Sequence, residues 1–212
     1  MPGGLFLVLE GIEGSGKTTQ AGLLAAWLEA RGLPHLLTRE PGGTAVGEEV
    51  RRLLLDGGAL DARTELLLML SARAALVSQV IEPALAEGRV VVADRYELST
   101  LAYQAHGRGL ALARVRELNE FATGGLRPDL TVVLSVPRAT GEARRAARSV
   151  QDRIESAGAG FHERVAEGYH ILAAAEPGVA MLDGTDPPGA VHAALLDLLR
   201  SRFPETFGRT QG

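Results

Sequence analysis

The sequence predicts a three-layer α/β fold in which a mostly parallel central sheet is covered by helices on both faces. Three observations carry this expectation. Apolar runs of strand length at 5–9, 89–94, 130–135 and 179–182 alternate with stretches of helical periodicity. The 212 residues suit one α/β domain with a full core, expected over 1–207, and are too few for two ordinary domains. Finally, Gly11-Ile12-Glu13-Gly14-Ser15-Gly16-Lys17-Thr18 has the spacing G-x-x-x-x-G-K-[ST], follows the first apolar run and opens a helical stretch.

In chain order, 5–9 reads as a buried strand. Leu23, Leu24, Trp27 and Leu28 then mark one face of a helix over 18–28. A short strand at 35–37 leads into Thr38-Arg39-Glu40-Pro41-Gly42-Gly43-Thr44, whose proline and glycines force a loop. Helices are expected over 46–55 and, as one long element, over 63–87. The strand at 89–94 ends in a carboxylate, Asp94. Then follow a helix at 112–122, a strand at 130–135 and a helix at 141–147. Gly158-Ala159-Gly160 breaks the pattern before a helix over 162–175, a last strand at 179–182 and a closing helix over 190–200. Residues 208–212 read as a disordered tail. Ligands of such a sheet belong at the carboxyl ends of its strands.

Composition excludes several classes of function. With no cysteine there is neither a disulfide framework nor a thiolate metal site, and a reducing, cytoplasmic compartment is the simple expectation. The amino terminus lacks a basic region, and Glu10 cuts its apolar run, so it reads as a first strand and not as a signal peptide. The apolar stretch 66–85 contains Arg73, Gln79, Glu82 and Pro83, which makes it a core helix and no membrane span. The net charge of −4 argues against a nucleic-acid surface. His35, His106, His162, His170 and His192 are too scattered for a metal site.

Lys17 is the only lysine among 22 basic residues. A chain that writes arginine for every other positive charge keeps one compact ammonium where it must fit between the β- and γ-phosphates of a nucleotide. The loop glycines let backbone N–H groups turn toward an anion, and the helix N-terminus adds partial positive charge. Gly11 to Thr18 together with Thr19 are therefore candidate ATP-binding residues in a P-loop NTPase fold. Asp94, beside this loop, is suited to hold Mg²⁺ together with Thr18, or else to cap a loop. Arg95 can fork onto a second phosphate, or else form a surface ion pair.

The segment Asp94-Arg95-Tyr96-Glu97-Leu98-Ser99-Thr100-Leu101-Ala102-Tyr103-Gln104 resembles the signature of thymidylate kinases, the P-loop kinases that phosphorylate dTMP to dTDP. Thr38 to Thr44 is similar to their R-E-P-G-G-T loop, and Asp152-Arg153-Ile154-Glu155 to their D-R-I-E lid segment. The similarity keeps this order and runs from about Leu5 to about Leu195.

The resemblance implies ATP and dTMP as substrates, Mg²⁺ as cofactor and a symmetric homodimer. Arg95 and Arg51 would hold the dTMP phosphate with Arg39 nearby, and Glu13 would lie near the sugar 3′-hydroxyl. Arg73 would donate to a thymine carbonyl, unless it reaches solvent along its stem. Thr100 and Gln104 would line the base pocket with Pro41, Met69 and Ser99 around the acceptor, and Tyr103 would pack under the deoxyribose. A phosphate loop without an extra basic residue goes, in this family, with arginines supplied by a lid, here about 138–160. Arg148 is the first candidate to neutralise transition-state charge and Arg153 the second, while Arg144 would lie on the adenine. Any one of them could instead belong to a solvated helix face.

Two positions depart from the family pattern. Met69 stands where a phenylalanine often stacks on thymine, and Ser135 where an aspartate is usual. A kinase of the same architecture with another acceptor, and a slow nucleotide-dependent switch, are the rival readings. A switch would leave the acceptor-site residues without a task.

Overall fold

The computed structural model describes residues 3–146, 153–154 and 156–208. Its sheet has five strands in the order β2-β3-β1-β4-β5, and every pairing among the described residues is parallel. The strands are β1 (Leu5–Glu10), β2 (His35–Arg39), β3 (Val90–Asp94), β4 (Leu130–Ser135) and β5 (Val179–Asp183). In register, Leu9 lies beside Asp94, and Asp94 beside Arg39. The strand ends that carry Glu10, Arg39 and Asp94 therefore open on one edge of the sheet, beside the phosphate loop.

All six residues of β1 are buried, as a central strand covered on both faces requires. Alternate side chains point to opposite faces. Leu5, Leu7 and Leu9 pack with α1 (Lys17–Glu29) and α9 (Pro188–Arg202) through Leu24, Leu28, Leu195 and Leu199. Phe6 and Val8 pack instead on Leu76, Val77, Ile81 and Tyr96. Burying each such leucine or valine contributes roughly 1.5–3 kcal/mol relative to leaving it in water.

Local signals set the helix boundaries. Thr44 caps α2 (Ala45–Leu55) by accepting from Gly47 N at 2.9 Å, and Asp61 caps α3 (Ala62–Leu76) by accepting from Arg63 N at 2.9 Å. The long helix expected over 63–87 is interrupted. After α3 the chain runs through a π-helical turn, Val77–Ile81, into α4 (Glu82–Ala86). Pro83, with no N–H to give the helical ladder, sits in the first turn of α4. Taken together, 62–86 is long and apolar enough to cross a membrane by length and composition. It is nevertheless a core helix, with Leu66, Leu70, Leu76 and Ile81 inside and the Arg73 charge buried against Glu40.

Three other expectations are corrected. The strand read as 35–37 continues to Arg39, because the ladder with β3 holds Thr38 and Arg39 extended. A helix absent from the sequence reading spans α5 (Glu97–Thr100) and a π-helical segment, Leu101–Gly107, in which Arg108 N donates to Tyr103 O at 2.9 Å. Gly158-Ala159-Gly160 does not delay the next helix, since α8 (Ala159–Ala175) starts there and runs through Gly160.

The other helices are α6 (Leu112–Thr123), closed by Gly124 at φ 60°, α7 (Arg138–Ala146) and α10 (Pro204–Phe207). In α10, Phe207 stacks on Trp27 at 5.5 Å, so ordered structure runs up to the expected tail, of which 209–212 lie outside the described residues. Ser135 pairs in register with Asp183, and nothing in the structure explains the serine.

Candidate active site

A cavity of about 570 Å³ lies at this sheet edge. The phosphate loop forms one wall. Gly14, at φ 75°, has no room for a side chain, because a Cβ there would meet the Gly141 carbonyl oxygen at 2.2 Å. That contact seats α7 directly on the loop. Gly16 at the N-cap of α1 offers no side chain to cap the helix, and with Lys17 and Thr18 it lines the cavity, so the positive end of α1 meets it.

Lys17 is 6% exposed, and its ammonium donates to Gly11 O at 2.9 Å and Ile12 O at 2.8 Å. Burial, with Arg95 nearby adding to it, lowers its pKa to about 8. Thr18 Oγ1 donates to Asp94 Oδ2 at 2.6 Å. A hydroxyl and a carboxylate oxygen brought together beside a phosphate loop form a hard oxygen set suited to Mg²⁺.

Just after β3, Arg95 adopts φ 78°, unusual for a residue with a side chain, and its backbone N donates to Leu9 O at 3.0 Å. Its guanidinium donates to Gly11 O, Ser99 Oγ, Tyr169 OH, Tyr103 OH and, at 3.0 Å, Glu13 Oε1. Tyr103 OH donates to the same Glu13 oxygen at 2.5 Å. Burial pushes the Glu13 carboxyl up, but Arg95, Lys17 and Tyr103 together hold it below its ordinary value. Beneath them the fully buried Glu10 accepts from Tyr96 N, Ser99 N, Ser99 Oγ and Tyr169 OH. This fixes the turn that presents Arg95.

The cavity gathers most of the residues singled out by sequence. Glu13, Arg39, Pro41, Arg51, Met69, Asp94, Arg95, Ser99, Tyr103 and Gln104 line it together with Gly14, Gly16, Lys17 and Thr18. Arg51 Nη1 donates to Pro41 O at 3.0 Å. Arg39 Nη2 is held by both oxygens of Glu48, at 3.0 and 2.9 Å. Gly11 and Ser15 act one step back, as acceptors for Lys17, while Ile12 lines a smaller neighbouring pocket. Thr19 is exposed on α1 and does not line the cavity.

Several placements differ from expectation. Arg73 neither reaches solvent nor lines the cavity. It is 1% exposed, its Nε and Nη2 donate to Glu40, its Nη2 also to Tyr96 O at 2.9 Å, and its Nη1 to Asn119. Burial works against the Arg73 charge, but Glu40 opposite more than offsets it and raises its pKa. Thr100 is fully buried and does not line the cavity, and its Oγ1 has no hydrogen-bond partner among the described residues.

Arg153 is not over the phosphate loop. Its Nε donates to Leu54 O and its Nη2 to Glu65 Oε2, both at 2.8 Å. Arg144 donates to Gly184 O at 2.8 Å and Thr185 O at 3.0 Å, next to the phosphate loop. Arg148, Asp152 and Glu155 lie outside the described residues. Among the described lid arginines it is Arg145, not singled out by sequence, that lines the cavity.

The sequence reading also missed Glu65, Asn119 and Tyr169. Their side-chain partners lie 39 to 159 residues away, so no local spacing marks them.

Comparison with known proteins agrees with this geometry. The family model described as Thymidylate kinase matches residues 9–195. A thymidylate kinase of Synechococcus sp. (strain JA-2-3B'a(2-13)) is 49% identical over 207 residues, covering 97% of this chain and 99% of the relative. One from Desulforudis audaxviator (strain MP104C) is 46% identical over 217 residues, covering 99% and 97%. A crystal structure of thymidylate kinase from Ehrlichia chaffeensis superposes with a TM-score of 0.77 at 33% identity, covering 94% of this chain and all of that one. A family model matched over residues 9–195, relatives nearly half identical over almost the whole chain and a solved structure of the same fold make this chain a member of the thymidylate kinase family.

Proposed function

We propose that the chain transfers the γ-phosphoryl group of ATP to dTMP, giving dTDP and ADP. The observation that carries this reading is one cavity lined at once by Lys17 and Thr18 of the phosphate loop, by Arg95 and Arg51, and by Gln104 and Met69. The donor phosphates would lie on the loop amides and Lys17, and the acceptor phosphate on Arg95 and Arg51, with Arg39 at the mouth. Thr18 and Asp94 would hold Mg²⁺, which supplies charge neutralisation on the phosphate oxygens when bound. Tyr103, fixed by Glu13, packs where the deoxyribose would lie.

The base end supports a pyrimidine. Gln104 Nε2 is committed to Glu65 at 2.9 Å, while its Oε1 is buried with no hydrogen-bond donor among the described residues. The N3–H of thymine supplies that donor. Met69 offers a polarizable thioether to the ring face. Arg145, and Arg148 by family resemblance, would neutralise charge on the transferring group, and Arg144 would border the adenine. Arg153 belongs to the acceptor side. Arg73 acts through Glu40 and Tyr96 by holding the wall of the base pocket. No covalent intermediate is needed, since positioning and electrostatics suffice.

The test is ADP release from Mg-ATP with dTMP, dUMP, thymidine, UMP, dCMP, AMP and no acceptor. Preference for dTMP with formation of dTDP is expected. Broad activity would move the reading to a less selective pyrimidine nucleotide kinase, and acceptor-independent hydrolysis to a switch.

Lys17 adds a pH signature. Burial depresses its pKa to about 8, and a bound triphosphate, by compensating its desolvation, restores it upward. At about pH 6.5 Lys17 is charged before and after binding, whereas at about pH 8.5 the free protein has largely lost that proton. ATP binding is therefore expected to take up more protons at the higher pH. Calorimetry in buffers of unlike ionisation enthalpy measures this, and equal uptake at both pH values contradicts it.

A homodimer and a cytoplasmic location complete the reading. Phe121 on α6, 88% exposed, with Leu67 on α3 and Leu53 on α2, supports a helical apolar interface. Sedimentation that gives a monomer mass at every concentration would remove the dimer.

A further inference from the structure

Glu65 sits in the first turn of α3, fully buried, where it would touch neither phosphate nor sugar. Its carboxylate nevertheless collects three side chains. Oε1 accepts from Gln104 Nε2 at 2.9 Å and Arg108 Nε at 3.1 Å, and Oε2 from Arg108 Nη2 at 3.0 Å and Arg153 Nη2 at 2.8 Å.

A primary amide is nearly two-fold symmetric in shape, so packing alone does not decide which of its ends faces a base. An ionised carboxylate does decide. It can only accept, so Gln104 must turn its NH₂ to Glu65 and keep its oxygen for another donor. That oxygen is buried and has no hydrogen-bond partner among the described residues. Burial raises the Glu65 pKa, but the bonds from Arg108, Gln104 and Arg153 outweigh it, and the group stays ionised. The two arginines thus keep Glu65 from becoming a donor that would let the amide flip.

We propose that Glu65 is a positioning residue that locks the Gln104 amide with Oε1 as an acceptor for the base, so that the pocket takes pyrimidines carrying an N3–H and rejects cytosine. The inference rests on the reading of this cavity as a dTMP site. Thymine and uracil both present N3–H. Cytosine presents a lone pair at N3, which would oppose the lone pairs of Oε1. A freed amide could rotate and give cytosine an N–H.

The experiment compares kcat/KM for dTMP, dCMP and dUMP in the parent and in Glu65→Gln. The expected result is a fall of about tenfold or more in the dTMP:dCMP ratio, with the dTMP:dUMP ratio unchanged. If both ratios fall together, Glu65 only keeps the pocket packed and the proposal is overturned. If neither moves, it is overturned as well.

Glu65→Asp keeps the charge that Arg108 and Arg153 require and so guards against loss of the fold. Because aspartate still only accepts, the dTMP:dCMP ratio is expected to stay within about threefold of the parent there, and a fall as large as that of Glu65→Gln contradicts the proposal. In a Gln104→Met background, Glu65→Gln should alter the ratio no further, and a further fall would assign the effect to something other than the amide. Failure of the functional reading itself appears separately, as absence of dTMP turnover by the parent protein.

Discussion

Lys17→Met is expected to lower kcat by about 10²–10³-fold while leaving the folded protein as stable as the parent or slightly more so. The two effects separate because the ammonium serves the reaction and not the fold. Its ammonium is buried against the Gly11 and Ile12 carbonyls, and burial is the largest influence on its lowered pKa, so its charge is held there at a cost. Methionine fills similar volume without that charge. During transfer, negative charge spreads over the oxygens of the moving phosphoryl group, and a preorganised cation at the loop is worth most there. Steady-state ADP release with dTMP, paired with a thermal melt, reads both quantities. Near-parental turnover would remove Lys17 from the mechanism, and a large drop in Tm would show that it holds the loop together.

The features legible in the sequence were those written locally. Continuous apolar runs gave four of the strands to within a residue at either end, β1, β3 and β4 because a strand buried on both faces is apolar almost throughout, and the partly exposed edge strand β5 through its run Val179 to Leu182. Lys17, Thr18, Asp94 and Arg95 were legible because glycine spacing and a strand-end carboxylate are short-range patterns. What was not legible depends on contacts between distant segments. Nothing near Arg73 announces that it turns onto Glu40, 33 residues earlier, and not toward solvent or the cavity. Nothing near Arg153 announces Glu65, 88 residues earlier. The π-helical segment bearing Tyr103 and Gln104 has no hydrophobic period of its own to reveal it, being buried almost throughout. Basic residues in a row show that a lid carries charge, but only folding decides that Arg145 faces the cavity while Arg144 faces the Gly184 turn.

Arg95→Met is expected to damage activity and stability together, and the two losses should respond to different second substitutions. The parent guanidinium, 16% exposed, pairs with Glu13, itself 18% exposed, and also donates to Ser99, Tyr103 and Tyr169. Removing it leaves the Glu13 carboxylate without its nearest cation, a change that costs roughly 3–5 kcal/mol for a buried pair. It also removes the fork proposed for the acceptor phosphate, so kcat/KM for dTMP should fall by about 10³-fold, with KM for ATP much less affected. In Arg95→Met/Glu13→Gln no buried charge is stranded, and most of the lost stability should return while activity stays low.

The pH dependence has a definite sign. In the parent, Glu13 titrates below its ordinary value, so its contribution to stability is present above the unfolded pKa and is lost as pH falls through the folded one. Without Arg95 the Glu13 pKa rises, and the penalty of the stranded charge disappears once acid protonates it. The stability gap between parent and Arg95→Met should therefore narrow as pH falls, as denaturant melts across the acid range would show. A gap independent of pH, or a double variant no more stable than the single one, would mean that Arg95 supports the fold through Ser99 and the two tyrosines and not through its charge on Glu13.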